Sequence, residues 1–185
     1  MESNWHYQWR RQQNPDWPNI VESDGRTPLL RMVSTSIDGV RTMLGFGAHP
    51  DDTGNGDFTP LTLSVYKKSI AMTEELLKFG ADPNKMHIPS GTVSLHIAAR
   101  DRNVEILNLL IKYNADIDKE NFEGKSAMNF AAMYGRSDII EILTQKGAEI
   151  TPAAIHAART GGHLDLALQM ETQMVQNKLV RLELL

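Results

Sequence analysis

"VSLHIAARDRNVEILNLLIKYNADID", residues 93–118, decides how this chain folds. Its apolar residues fall into two clusters, Leu95 to Ala99 and Val104 to Ile111, with the polar stretch Arg100 to Asn103 between them. Neither cluster approaches the ~18 apolar residues that a membrane span requires. The stretch reads as two short amphipathic helices joined by a tight turn, closed by the small residues Asn114-Ala115-Asp116.

The same phrase is written on both sides of it. Leu29, Leu61, Leu95 and Met128 open equivalent segments, at spacings of 32, 34 and 33 residues. Each leads to a small-residue close: Gly47-Ala48, Gly80-Ala81-Asp82, Asn114-Ala115-Asp116 and Gly147-Ala148-Glu149. A period near 33 marks a repeat array, in which a unit buries its apolar face only against its neighbours. Thr27-Pro28 and Thr59-Pro60 place a capping hydroxyl ahead of a proline at the first helical position, where the missing N–H costs nothing. Ser126 stands at that cap in the fourth unit. The closes need a left-handed residue, supplied by glycine in three units and by asparagine, the usual second choice, in one. Ala98-Ala99 and Ala131-Ala132 leave short side chains where two helices must approach closely.

At these residues a resemblance becomes specific. "DGRTPLL", "FTPLTLS", "SLHIAARDRNVEILNLLIKYNADID" and "AMNFAAMYGRSDIIEILTQKGAEI" resemble ankyrin repeats, whose pattern runs Thr-Pro-Leu-His-x-Ala-Ala to a Gly-Ala-Asp close. The resemblance covers residues 24–172, most of the chain, with four units in register. It implies an all-α fold: an ankyrin-repeat solenoid of stacked helix-turn-helix units with projecting hairpin fingers. The expected segments are an aromatic N-terminal cap (1–23), repeats at 24–55, 56–89, 90–122, 123–149 and 150–172, and a C-terminal capping helix (173–185).

The departures from the pattern are specific too. Repeat 1 is one residue shorter between its leucine and its close. The pattern's histidine survives as His96 in the third unit, while the fourth has Asn129. The fifth unit keeps Ile155-His156 and Gly162-His163, but its Thr151-Pro152 lies two residues early for that alignment. In the family this histidine braces neighbouring loops by hydrogen bonds, a role the resemblance implies for His96 and His156, and His163 fits the family's turn histidine.

Composition bounds the rest. A length of 185 residues is about one domain's worth. A net charge of -4 gives no chain-wide field that favours nucleic acid or an anionic membrane, so neither is expected as a partner. The absence of cysteine removes disulfides, thiolate nucleophiles and cysteine-bound zinc together, which fits a reducing compartment. The N-terminal "MESNWHYQWRRQQNPDW" has no apolar core of the signal-peptide kind. The chain reads as soluble and cytoplasmic.

All three tryptophans, Trp5, Trp9 and Trp17, precede the first repeat, together with Tyr7. They read as a cover for the exposed face of repeat 1, with a partner-anchoring patch as the alternative. At the other end Leu164, Leu168, Val175, Leu179 and Leu182 recur at helical spacing and are expected to pack on repeat 5. The alternative there is a helix that docks into a partner or a second copy of an otherwise monomeric chain.

Several motifs promise chemistry and lack a part. "DDTGNGD" offers Asp51, Thr53, Asn55 and Gly56 at calcium-loop spacing, but the twelfth position, where a bidentate glutamate is needed, is Thr62. Asn55-Gly56 reads instead as the hairpin turn of a finger tip. "GFGAHP" lacks the third glycine of a dinucleotide fingerprint. Glu74-Glu75 point in different directions on a helix and read as a solvated face. No nucleophile motif or phosphate-cradling loop is present, so no catalytic, cofactor-binding or metal residue is predicted.

In proteins of the resembled family, fingers and first helices line a concave face that binds other proteins. Carried across, that face presents Thr53, Asn55 and Phe58 from one finger, then Met86 and His87, then Glu120, Phe122 and Glu123. The first helices add Tyr66, Lys67, Arg100, Asp101, Met133 and Tyr134. Phe58, Phe122 and Tyr134 are the expected anchors, although Phe58 and Phe122 could equally staple their fingers to adjacent helices. The resemblance implies a non-catalytic scaffold for protein binding, used as adaptor or inhibitor, including a stand-alone, immunity-type neutraliser of a toxin or enzyme. A competing reading is an enzyme accessory with a site built from His6, Arg10-Arg11 and Asp16.

Overall fold

A computed structural model of the chain describes residues 14–87 and 90–183. Ten α-helices occur among them: α1 (Pro28–Val33), α2 (Ile37–Gly45), α3 (Pro60–Tyr66), α4 (Ile70–Lys78), α5 (Ser94–Arg100), α6 (Val104–Lys112), α7 (Ala127–Met133), α8 (Ser137–Gln145), α9 (Pro152–Thr160) and α10 (Leu164–Glu183). The one β feature among the described residues is an isolated antiparallel bridge between His87 and Thr92. The chain divides into two compact units, residues 1–94 and 95–185. No helix among the described residues is long and apolar enough to cross a membrane.

Helix starts follow the hydroxyls. Thr27 and Thr59 accept the Leu30 and Thr62 amide N–H groups at 3.3 and 3.0 Å, each ahead of a proline. In the fourth pair the Ser126 amide donates to Asn129 Oδ1 at 3.1 Å, the returning half of a capping box. Thr151 caps α9 in the same way, and the fifth-unit register resolves there: α9 has 9 residues where α3, α5 and α7 have 7. Its two extra residues lie at its start. The short first repeat shows as a 6-residue α1.

The closes carry the predicted geometry. Gly47, Gly80, Asn114 and Gly147 have φ of 93, 86, 65 and 105°. The following alanine amides reach back five residues, to Met43, Leu76, Leu110 and Leu143, at 3.0 Å each. That bond satisfies a helix-end carbonyl that would otherwise be orphaned.

Packing is between like helices. In the first unit α1 packs on α3 and α2 on α4; in the second, α7 packs on α9. Leu29, Leu61, Leu95 and Met128 are each at most 2% exposed, and Ala98, Ala99, Ala131 and Ala132 are fully buried. Second helices add Met43, Leu76, Leu107, Leu110, Ile139 and Leu143 to the core. Each buried leucine contributes roughly 1.5–3 kcal/mol of transfer free energy, so the stacked face, not intrinsic propensity, holds these short helices.

Two polar groups brace the stacks. His96 is buried, its ring stacks on Phe130 at 5.2 Å, and its Nε2–H donates to the Lys119 carbonyl at 2.7 Å. Burial holds its pKa below the ordinary histidine value, only partly offset by the bond to Lys119. The unfolded chain therefore binds a proton on His96 at a higher pH than the folded chain does, so stability falls as pH drops below about 6.5. Urea midpoints taken between neutral pH and pH ~5 should decline for the native chain and decline less for His96→Gln. A corresponding role for His156 does not hold, because His156 is exposed. The loop that His96 grips belongs to the next connection, whereas α10 runs on unbroken from the fifth pair.

The second brace corrects the reading of Glu74-Glu75 as a solvated face. Glu75 is buried against Arg41 of the preceding repeat, with Arg41 Nε donating to its Oε2 at 2.5 Å. Glu74 pairs with Lys78 at 3.3 Å on the outside of the same helix.

The C-terminal helix also departs from expectation. Leu164, Leu168, Val175, Leu179 and Leu182 are 52–68% exposed, and the residues that bury instead are Ala167 and Met170. α10 packs on α9, whose buried positions are Ala154, Ile155, Ala157 and Ala158. Only a narrow line of α10, Ala167 and Met170 three residues apart, is covered, and the wider apolar stripe lies outside it. At the other end, a 3-10 turn (Trp17–Asn19) packs on α1 with Trp17 buried, and the Asn19 side chain bonds the Gly47 carbonyl and the His49 amide. Trp5, Tyr7, Trp9, His6 and Arg10-Arg11 lie outside the described residues.

Candidate protein-binding surface

Three of the fingers are closed in the same way at their ends. Glu22 to Arg26, His87 to Thr92 and Asn121 to Lys125 each close with an amide-to-carbonyl bond of 2.8–3.0 Å between their ends. Each carries glycine two residues before the helix-cap position: Gly25, Gly91 and Gly124, at φ of 78, 69 and 70°. In the last of them, buried Asn121 accepts the Glu123 and Lys125 amides at 3.0 and 2.9 Å. Phe122 and Glu123 are thereby held at the tip.

The remaining finger is different. Where glycine should stand it has Asp57, and the left-handed residue is Gly54, at φ of 57°. The Asn55-Gly56 dipeptide is accordingly not a hairpin turn: neither residue has positive φ, and no strands flank them. The loop bends back on the preceding finger, with the Asn55 amide donating to the Gly25 carbonyl at 2.8 Å. A β carbon on Gly54 would lie 2.5 Å from that same carbonyl oxygen, so only glycine allows the approach.

This bend positions an aromatic cluster. Phe58 lies 4.4 Å from the His87 ring and 6.0 Å from the Tyr66 ring, centroid to centroid. His87 Nδ1 is within 3.3 Å of the Ser90 hydroxyl, and its Nε2 is buried with no hydrogen-bond partner among the described residues. Three predicted interface residues, from two fingers and one first helix, thus form a single feature. Phe58 is in part a staple and in part an anchor, since it packs on its neighbours yet keeps 37% of its surface exposed.

Beside the cluster is a groove of about 450 Å³. Its apolar wall is Phe58 with Leu30 and Leu63, and its polar residues include Arg26, Lys67 and Asp57. The predicted residues Thr53 and Lys67 line it as well. Asn55 and Met86 lie on the neighbouring finger loops, Asn55 exposed and Met86 half-buried.

In the second unit the predicted residues sort differently. Phe122 is 65% exposed and is no staple; Tyr134, the C-terminal cap residue of α7, is 44% exposed. Arg100 and Asp101 pair with each other through two contacts of 2.7 and 3.1 Å, so they present a neutralised couple. Glu123 pairs with Lys125 at 2.7 Å, Glu120 is exposed and Met133 half-buried.

Sequence reasoning missed Arg26, Leu30 and Leu63. Arg26 was findable: it stands one residue before the Thr27 cap, as Phe58 stands before Thr59. The groove itself was not, because it depends on how the loop without its usual glycine folds back.

These features define a class: helix-pair repeats whose connecting fingers and first helices carry most of the exposed aromatics among the described residues. Residues 80–154 match the model of ankyrin repeats in three copies. An alignment of 162 positions, covering 82% of this chain, is 31% identical to the ankyrin repeat protein nuc-2 of Neurospora crassa, of which it covers 15%. Alpha-latroinsectotoxin-Lt1a of Latrodectus tredecimguttatus is 32% identical over 60% of the chain and 8% of its own length. The transient receptor potential channel pyrexia of Drosophila melanogaster is 31% identical over 63% and 13%. The chain thus spans less than a sixth of each of these relatives.

The chain is an ankyrin-repeat protein, all-α in class. Ankyrin repeats are in general modules that bind other proteins, and the family is typically non-catalytic.

Proposed function

We propose that this chain is a non-catalytic binding module that recognises a folded protein through its fingers and first helices, as an adaptor or an inhibitor. The observation that carries the reading is that four of the five aromatic side chains exposed among the described residues, Phe58, Tyr66, Phe122 and Tyr134, lie on finger or first-helix positions, while the fifth, Phe79, ends the second helix α4. Exposed aromatics ringed by polar groups are what binding hot spots are made of. The mechanism is rigid presentation: fingers fixed by internal hydrogen bonds lose little conformational entropy when a partner docks. Inhibition, including neutralisation of a toxin or enzyme, and bridging use this surface alike, and what the captured partner does while bound distinguishes them. The test is capture of a partner from the native cell by the full chain, repeated with the aromatic variants treated in the Discussion.

A further inference from the structure

We propose that the groove of the first unit takes an extended segment of the partner that carries an acidic side chain next to an aliphatic one. This rests on the reading of the fingers and first helices as the binding surface, and it adds the chemistry of what they bind. The argument is charge complementarity on an apolar wall. Arg26 and Lys67 line the groove, both are exposed, and neither is in an ion pair among the described residues. Arg31, Arg41, Arg100, Arg102 and Arg159 are paired with carboxylates, and Arg136 donates instead to the Arg100 carbonyl at 3.1 Å. Asp24 accepts the Arg26 amide at 3.1 Å and pairs with the Arg31 guanidinium at 3.0 Å, so its charge reaches the Arg26 side chain only weakly. The groove's own carboxylate, Asp57, is exposed and leaves a local excess of positive charge in a chain whose net charge is -4.

Arg26 and Lys67, in no ion pair among the described residues, form a mixed site with Phe58, Leu30 and Leu63. A carboxylate would satisfy Arg26 and Lys67 while an adjacent leucine-sized side chain covers the exposed edge of Phe58. The wall is fixed in advance, because Phe58 is wedged between His87 and Tyr66 and the finger beneath it is pinned to Gly25. The volume of about 450 Å³ is within the range of sites that enclose several side-chain groups.

The probe is a library of capped peptides with a fixed central Leu-Glu, Leu-Gln or Leu-Lys pair and randomised flanks, presented to the full chain. The Leu-Glu pool should be retained about tenfold more strongly than the Leu-Lys pool. Arg26→Glu combined with Lys67→Glu should reverse that order, with the far-ultraviolet circular dichroism unchanged. Should that variant lose helix, Arg26→Gln with Lys67→Gln replaces it and must remove the preference. Equal retention of the three pools, or a Leu-Glu preference that survives either double variant, overturns the proposal. Retention of the Leu-Glu pool by the native chain that rises in high salt overturns it as well, since screening must weaken such contacts. The broader reading fails separately: a natural partner lost with the aromatic variants but showing no acidic preference rejects the groove's ligand and leaves the interface.

Discussion

Leu61→Ala and Leu107→Ala should each lower the stability of the chain by about 2–5 kcal/mol, read as a shift of the urea midpoint at constant slope. Both leucines are fully buried, one in the first unit and one in the second. Truncation removes the transfer free energy of the lost methyl groups and leaves a cavity that close-packed neighbours only partly fill. Leu61 lies on α3, between α1 and α4, so its loss reaches two helix contacts at once. Against a typical total of about 5–15 kcal/mol, that is a large fraction. Leu168→Ala supplies the contrast. It is the same substitution on a helix whose pattern suggested burial, yet Leu168 is 64% exposed, and its effect should stay within about 0.5 kcal/mol. A large loss at Leu168 and a small one at Leu61 would invert the account of which faces hold the stack.

The largest functional effect is expected from Phe58→Ala, Phe122→Ala and Tyr134→Ala combined. Partner capture should fall below detection, since truncating one buried aromatic anchor commonly costs about 2 kcal/mol or more, a factor of about thirty in affinity. The helical circular dichroism should be nearly unchanged for the Phe122 and Tyr134 changes, whose side chains are 65 and 44% exposed. Phe58→Ala is the more structural of the three, because it also vacates the contacts with His87 and Tyr66. A modest drop in melting temperature with that substitution alone is part of the expectation. Capture that persists in the triple variant places the interface elsewhere on the chain.

Much of this molecule was legible because a repeat states each rule several times. The Thr-Pro starts, the left-handed closes and the large apolar residue at the head of each pair all carry local chemistry that needs no tertiary information. The failures fall where the repeat stops or breaks. His156 has the family residue but no following loop of the kind His96 grips, so it lies exposed. The α10 stripe was assigned by hydrophobicity, but only the line through Ala167 and Met170 is buried, and which line of a helix meets a neighbour is a tertiary fact. Glu75 reads as a surface charge in sequence and is buried because Arg41, 34 residues away, meets it. For the surface, the identity of exposed aromatics could be read from the frame. Their grouping into Phe58, Tyr66 and His87, and the groove beside it, follows from one loop that lacks its glycine and folds onto its neighbour.

Hydrogen exchange of the full chain, with and without its captured partner, tests the central claim most directly. The account predicts slowed amide exchange over residues 22–33, 53–67, 86–87, 90–101 and 120–134, the fingers and first helices, with second helices α2, α4, α6 and α8 unchanged. Protection confined to those second helices, or to the outer face of α10, would contradict it.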